Sequence, residues 1–305
     1  MNLLNSYTKL NNSFKESMIY HIGGTSGFFS EYNNMILGML YCLRHQIKFY
    51  LYSGDANFSV KSGWTDYFLP FTQSYTSRLL HVSNNRYNIN QNWRRWIRRT
   101  FYNRIDYFTY ELFDTLRIEA RQELHYHIPE LNIDGDVKAA CKKLIELTWN
   151  FNSETKTEIN KKSSLLNLPE KYIGIHIRGG DKYLEGNLYP IEAYMNKAFI
   201  LSNIRKAFIL TDDYRIFEDL NKNYPDWTFF TLCGKNERGY FLDQLNKNDK
   251  KTIYNTYINL FASIEILAKS ELFIGTFSSN PGMYLGMRMP EGKCFGVDSD
   301  TWMVW

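Results

Sequence analysis

The chain has 305 residues, 44% of them hydrophobic and 22% charged, with 36 basic against 32 acidic side chains. That balance fits one or two folded domains and excludes a disordered or fibrous chain. A net charge of +4 is too small for wholesale nucleic-acid binding, and no apolar run approaches the ~20 residues that cross a bilayer.

The stretch Met1 to Tyr20 offers no continuous apolar segment of the kind a secretory signal needs, so a cytoplasmic location is expected. Ser17–Ile22 then reads as a strand, Glu31–Arg44 as a helix and Ile47–Tyr52 as a second strand, with Gly23-Gly24-Thr25-Ser26-Gly27 joining the first two. From Phe71 to Glu130 the chain is aromatic and basic and matches no simple period. Within it, Trp93-Arg94-Arg95-Trp96-Ile97-Arg98-Arg99 sets its arginines at helical spacing. The plain reading is a solvated basic face with core tryptophans; the sharper ones are binding of nucleic acid or an anionic membrane surface, or aromatic faces that stack on sugar rings at the rim of a cleft.

The polar stretch Asn150 to Leu168 reads as a linker and predicts two domains, 1–165 and 166–305. Beyond it, strand-like Tyr172–Arg178, Ala207–Thr211, Trp227–Leu232, Leu272–Thr276 and Cys294–Val297 alternate with helix-like Ile191–Ser202, Tyr214–Asn221, Thr252–Ala268 and Pro281–Met289. Such alternation predicts an α/β architecture of two Rossmann-type domains, each with a parallel sheet between helices, facing a central cleft.

Charged residues at strand C-termini are where open α/β sheets bind ligands. His176-Ile177-Arg178-Gly179-Gly180-Asp181-Lys182 delivers a guanidinium, an ammonium and two glycines into one loop, which suits phosphate oxygens, although Arg178 and Asp181 alone also fit a structural ion pair. Gly275-Thr276-Phe277-Ser278-Ser279-Asn280-Pro281 places Ser279 or Asn280 as a helix N-cap and predicts a second anion site at the helix end. Leu210-Thr211-Asp212-Asp213 ends a third strand in paired acids that fit a cap, a metal or a ribose. Asp134-Gly135-Asp136 and Asp298-Ser299-Asp300 have the Asp-x-Asp spacing of a metal motif but the wrong setting, and His125 and His127 stand apart from other ligand residues. Cys42, Cys141, Cys233 and Cys294 lack zinc-site spacing and read as reduced thiols.

Taken in order with Glu185 and Tyr189-Pro190-Ile191-Glu192-Ala193-Tyr194-Met195, these motifs resemble those of the α1,6-fucosyltransferase family over Tyr172–Met289. Gly23–Gly27 and Gly63-Trp64 are similar to a glycine-rich loop and a Gly-Trp pair in its first half. The resemblance implies a GT-B-like, metal-independent, inverting fucosyltransferase, with a donor domain in the second half and an acceptor-side domain in the first. Its substrates would be GDP-fucose and a glycan hydroxyl, with no metal or other cofactor and no nucleic-acid partner. By the same implication Glu185 is the general base, with Arg178, Lys182 and Asp181 beside it. The donor contacts are His176 on guanine, Arg178 on the diphosphate, Asp212 or Asp213 on the nucleoside or its loop, and Thr276, Ser278 and Ser279 on the β-phosphate. Tyr194, Ser263, Gly23 and Gly24 complete the implied set.

Two departures stand out: Gly179 occupies the place of a second family arginine, and Ser263 that of a guanine-recognising aspartate. The first is expected to weaken donor phosphate binding or shift it to Lys182. The alternatives are an α1,2-fucosyltransferase, whose H-x-R-x-G-D loop Gly180-Asp181 also fits, and a non-catalytic nucleotide-sugar or glycan binder.

Overall fold

The computed structural model describes residues 2–23, 26–77, 93, 96, 100–101, 104–179, 189–239 and 248–304. The chain divides into two compact units, Met1–Asn152 and Ser153–Trp305. The division therefore falls before the expected 165/166, because the polar stretch read as a linker is a helix, Ser153–Ser164. It buries only Thr155 and Ile159 and packs on the helix Lys250–Ala268 of the second unit. Glu154 in its first turn and Lys161 and Lys162 in its last complement the helix dipole.

In the first unit, β1 (Glu16–His21), β2 (Ile47–Tyr52), β3 (Ser74–Tyr75) and β4 (Tyr107–Phe108) form a parallel sheet in the order β3-β2-β1-β4. The helix Leu3–Ser13, absent from the sequence reading, is capped by Asn2, whose side chain accepts from Leu4 N at 3.1 Å. Asn11 on that helix gives its amide to the Phe49 carbonyl (3.0 Å) and accepts from the Phe49 N–H (2.7 Å), so a polar residue pairs a backbone site on β2. Helix Phe28–Arg44 packs against both Thr109–Ala120 and Val137–Thr148; the first two also pack on the sheet, whereas Val137–Thr148 packs on the strand Ile133–Gly135. β5 (Tyr126–Ile128) and β6 (Ile133–Gly135) form an antiparallel hairpin. His125 and His127, apart from ligand residues in the sequence, both reach Asp134 across it, at 2.6 and 3.2 Å. Their hydrogen bonds, His125 first, hold its carboxyl below the ordinary value.

Aromatic residues dominate this unit's core. Trp64 is 1% exposed and stacks on Phe68 at 4.3 Å between ring centroids, with Tyr32 at 6.1 Å and Phe71 at 5.4 Å. Its backbone N–H donates to Ser53 Oγ, and the turn before it is held by Asp66, whose carboxylate accepts from the N–H groups of Val60, Lys61, Ser62 and Gly63. The Gly63-Trp64 pair is thus a packing element. Trp64→Ala is expected to cost about 3–5 kcal/mol and to lower Tm by on the order of 10 °C. A thermal melt shifted by less than about 2 °C would contradict this account of the core.

In the second unit, β7 (Ile173–His176), β8 (Lys206–Leu210), β9 (Thr228–Phe230), β10 (Phe273–Gly275) and β11 (Cys294–Gly296) form an all-parallel sheet. Its order is β11-β10-β7-β8-β9. Ile173, Ile175, Ala207, Ile209 and Ile274 are fully buried, as expected for parallel strands covered on both faces. From β7 the chain moves outward to β8 and β9, then returns to β10 on the other side of β7. The order therefore reverses between β7 and β10. At such a switch point the two following loops diverge and leave a crevice outside the strand C-termini.

Candidate active site

One wall of that crevice follows β7. His176 ends the strand and is 5% exposed. Ile177 N donates to the Leu210 carbonyl at 3.0 Å, and Gly179 N donates to Asp212 Oδ1 at 2.7 Å. Arg178, half-buried, therefore stands between two residues pinned to the end of β8, and its Cα cannot wander. A Cβ built at Gly179 would lie 3.0 Å from Asp213 Cβ and 3.2 Å from Ile216 Cδ1. The close approach of the β8 end favours glycine here, and a second arginine would have to push that end away.

The paired acids have separate roles. Asp213, 4% exposed, caps the helix Tyr214–Asn223 by accepting from Arg215 N at 3.0 Å. Its carboxylate also takes the Arg215 guanidinium, which holds it below the usual carboxylate range. Asp212 instead clamps the Arg178–Gly179 loop. The segment after β9 was not singled out in the sequence: Gly239 N donates to the Asp212 carbonyl at 2.7 Å and Tyr214 N to the Glu237 carbonyl at 3.1 Å. It joins Asp213 in a short antiparallel bridge at Arg238, bringing a further cation to the end of β8. Its only local cue was Gly234-Lys235-Asn236-Glu237-Arg238-Gly239, a turn-rich basic stretch.

The other wall follows β10. Ser279 caps the helix Asn280–Arg288, its Oγ accepting from Gly282 N at 3.2 Å and donating to the Thr276 carbonyl at 2.7 Å. The backbone N–H groups of the turn leading into this helix are engaged within the protein. Phe277 N and Ser278 N donate to Asp298 Oδ1 and Oδ2, at 2.9 and 2.8 Å, and Ser279 N donates to the Thr276 carbonyl at 3.2 Å. What remains are the hydroxyls of Thr276 and Ser278, both half-buried and without a protein partner among the described residues.

The rest of the expected set is dispersed. Ser263 is 3% exposed, and its hydroxyl donates to the Asn259 carbonyl at 2.8 Å. It is drawn inside the unit because the buried stripe includes Phe261, Ala262, Ile264 and Ile266 around it. Tyr194 belongs to the core under the sheet, and burial, then the charge of Asp298, pushes its hydroxyl pKa up. Gly23, in the first unit, has φ +90° and donates its N–H to Glu31 Oε2 at 3.2 Å. Gly24, Gly180, Asp181, Lys182 and Glu185 lie outside the described residues, as do Arg94, Arg95, Arg98 and Arg99. Trp93 and Trp96 are 49% and 64% exposed, which corrects their reading as core. The acids of the two Asp-x-Asp motifs are engaged: Asp134 with histidines, Asp136 as the cap of Val137–Thr148, Asp298 in the turn and Asp300 with Lys197 at 3.1 Å.

Residues 51–281 match the family model described as alpha-(1,6)-fucosyltransferase N- and catalytic domains. Among solved structures, the chain is similar to NodZ alpha-1,6-fucosyltransferase soaked with GDP-fucose, with a TM-score of 0.55 and 14% identity over 90% of this chain and 93% of that one. For fucosyltransferase NodZ from Bradyrhizobium the values are 0.54 and 14%, over 89% and 92%. For a mutant of Arabidopsis thaliana FUT1 in complex with GDP they are 0.50 and 11%, over 95% and 76%. At these identities the likeness shows a shared fold. No curated protein matches the chain.

Proposed function

The chain belongs to the alpha-(1,6)-fucosyltransferase family, and on that premise we propose that it transfers fucose from GDP-fucose to a glycan hydroxyl, inverting the anomeric centre, forming an α1,6 linkage and requiring no metal. The observation that carries the reading is the pair of loops at the β7/β10 switch point. One presents a backbone-anchored Arg178 and the other the hydroxyls of Thr276 and Ser278. A cation and neutral donors carried on the loops after two adjacent strands suit a diphosphate, which gains charge as it leaves.

In this reaction Glu185 takes the proton of the acceptor hydroxyl as its oxygen bonds to the fucose anomeric carbon. The bond from that carbon to the β-phosphate breaks on the opposite face, and the electron pair departs with GDP. Arg178 and Lys182 neutralise the developing charge on the diphosphate. His176, at the strand end, meets the base, while Asp212 keeps the Arg178 loop in place. The Ser263 hydroxyl donates within its own helix, so toward the base it offers a single acceptor oxygen in place of a carboxylate's two.

The test is GDP release from GDP-fucose with a panel of oligosaccharides, with and without EDTA, followed by NMR assignment of the linkage. The expected result is acceptor-dependent, EDTA-insensitive release with an α1,6 product. An α1,2 product would overturn the linkage, and loss of turnover in EDTA would overturn metal independence.

A further inference from the structure

Asp298 lies near the C-terminus, two residues after β11, yet its carboxylate bridges the N–H groups of Phe277 and Ser278 in the turn after β10. Two consecutive N–H groups each reach a different oxygen of one carboxylate, an anion site made of backbone donors whose anion here is a side chain of the same protein. The segment that delivers it is held independently of that contact. Val297 N donates to the Gly275 carbonyl at 2.8 Å, and Lys197 bonds the Gly296 carbonyl and the Asp300 carboxylate. Trp302 Nε1 donates to the Met283 carbonyl at 2.9 Å. The Trp302 ring lies against Gly286, where a Cβ would sit 2.2 Å from its Cδ1, so only glycine admits the ring so close to the helix Asn280–Arg288. Asp298 is thus brought to the turn on a fixed strap.

We infer that Asp298 is a positioning residue for the donor diphosphate, an inference that rests on the donor reading above. By filling the N–H pair it fixes the backbone of Phe277 and Ser278, and it leaves the hydroxyls of Thr276 and Ser278 as the groups this turn offers to phosphate. A phosphate taking the N–H pair directly would have to displace a charge-assisted, two-pronged contact. The chain's electrostatics at this wall therefore differ from a free helix terminus: ligand charge is met by hydroxyl dipoles here and by the Arg178 cation across the crevice.

The experiment compares wild type, Asp298→Ala and Asp298→Asn by calorimetry with GDP and by steady-state kinetics with GDP-fucose, using melting temperature as the folding control. Asp298→Ala should raise the Kd for GDP and the KM for GDP-fucose about tenfold, with kcat and acceptor KM within about twofold. Asp298→Asn keeps one acceptor oxygen and should fall between. A carboxylate that only docks the strap would instead lower the melting temperature and leave donor affinity unchanged in both variants, which would overturn the inference. Tighter GDP binding by Asp298→Ala would overturn it as well, because it would make the carboxylate a competitor of phosphate. Wild-type protein that binds no GDP would sink the donor reading itself, and the inference with it.

Discussion

Arg178→Ala should lower kcat/KM for GDP-fucose by about 100- to 1000-fold, the loss typical of a charged donor aimed at an oxyanion that forms in the transition state. The size follows from how the residue is held. Ile177 is bonded to Leu210 and Gly179 to Asp212, so the guanidinium starts from a fixed backbone and little backbone ordering entropy is lost when it binds. Arg178→Lys keeps the charge without the planar fork and should recover only part of the loss. Part of the effect should appear as weaker GDP binding, because the product diphosphate carries the same oxygens. If Arg178→Ala reduced kcat/KM by less than about threefold, the crevice between β7 and β10 would not be where the diphosphate binds.

Glu185→Gln should separate chemistry from binding. A glutamine preserves size and hydrogen bonding but cannot take a proton at neutral pH, so kcat should fall by about 100-fold or more while the Kd for GDP stays within about twofold. The acid limb of the pH–kcat profile should disappear with it, since that limb reports protonation of the base. A variant with wild-type turnover would remove Glu185 from the role and point to another acid at the acceptor side.

The strands of the second unit were legible because each centres on a short apolar run, such as Ala207–Leu210 or Phe273–Ile274, between polar ends. Expected Ala207–Thr211 and Cys294–Val297 became Lys206–Leu210 and Cys294–Gly296, a shift of an edge residue. Ser153–Ser164 was not legible, because a helix that buries only Thr155 and Ile159 has almost no apolar stripe to read. Leu3–Ser13 failed for a related reason: one of its two buried residues is Asn11, whose role depends on the backbone of β2. In the site, the strand-end position of Arg178 could be read from pattern alone, whereas the roles of Asp212 and Asp213 could not. Both are acids after a strand, and only geometry shows that one caps its own helix and the other clamps a neighbouring loop. Asp298 shows in the sequence only as part of an Asp-x-Asp spacing in the wrong setting for a metal, and the parallel pairing of β10 with β11 is what brings it beside Phe277. The burial of Ser263 was not legible either. Its place in the motif matches the family aspartate, but its helix turns it inward.

The most direct test of the central claim is calorimetric titration of the purified protein with GDP-fucose, GDP-mannose and UDP-sugars, each with and without EDTA. Selective binding of the GDP-linked sugars, tightest for GDP-fucose and unchanged by EDTA, is the predicted result. Preference for a UDP-sugar, or binding abolished by EDTA, would contradict the assignment of donor and mechanism.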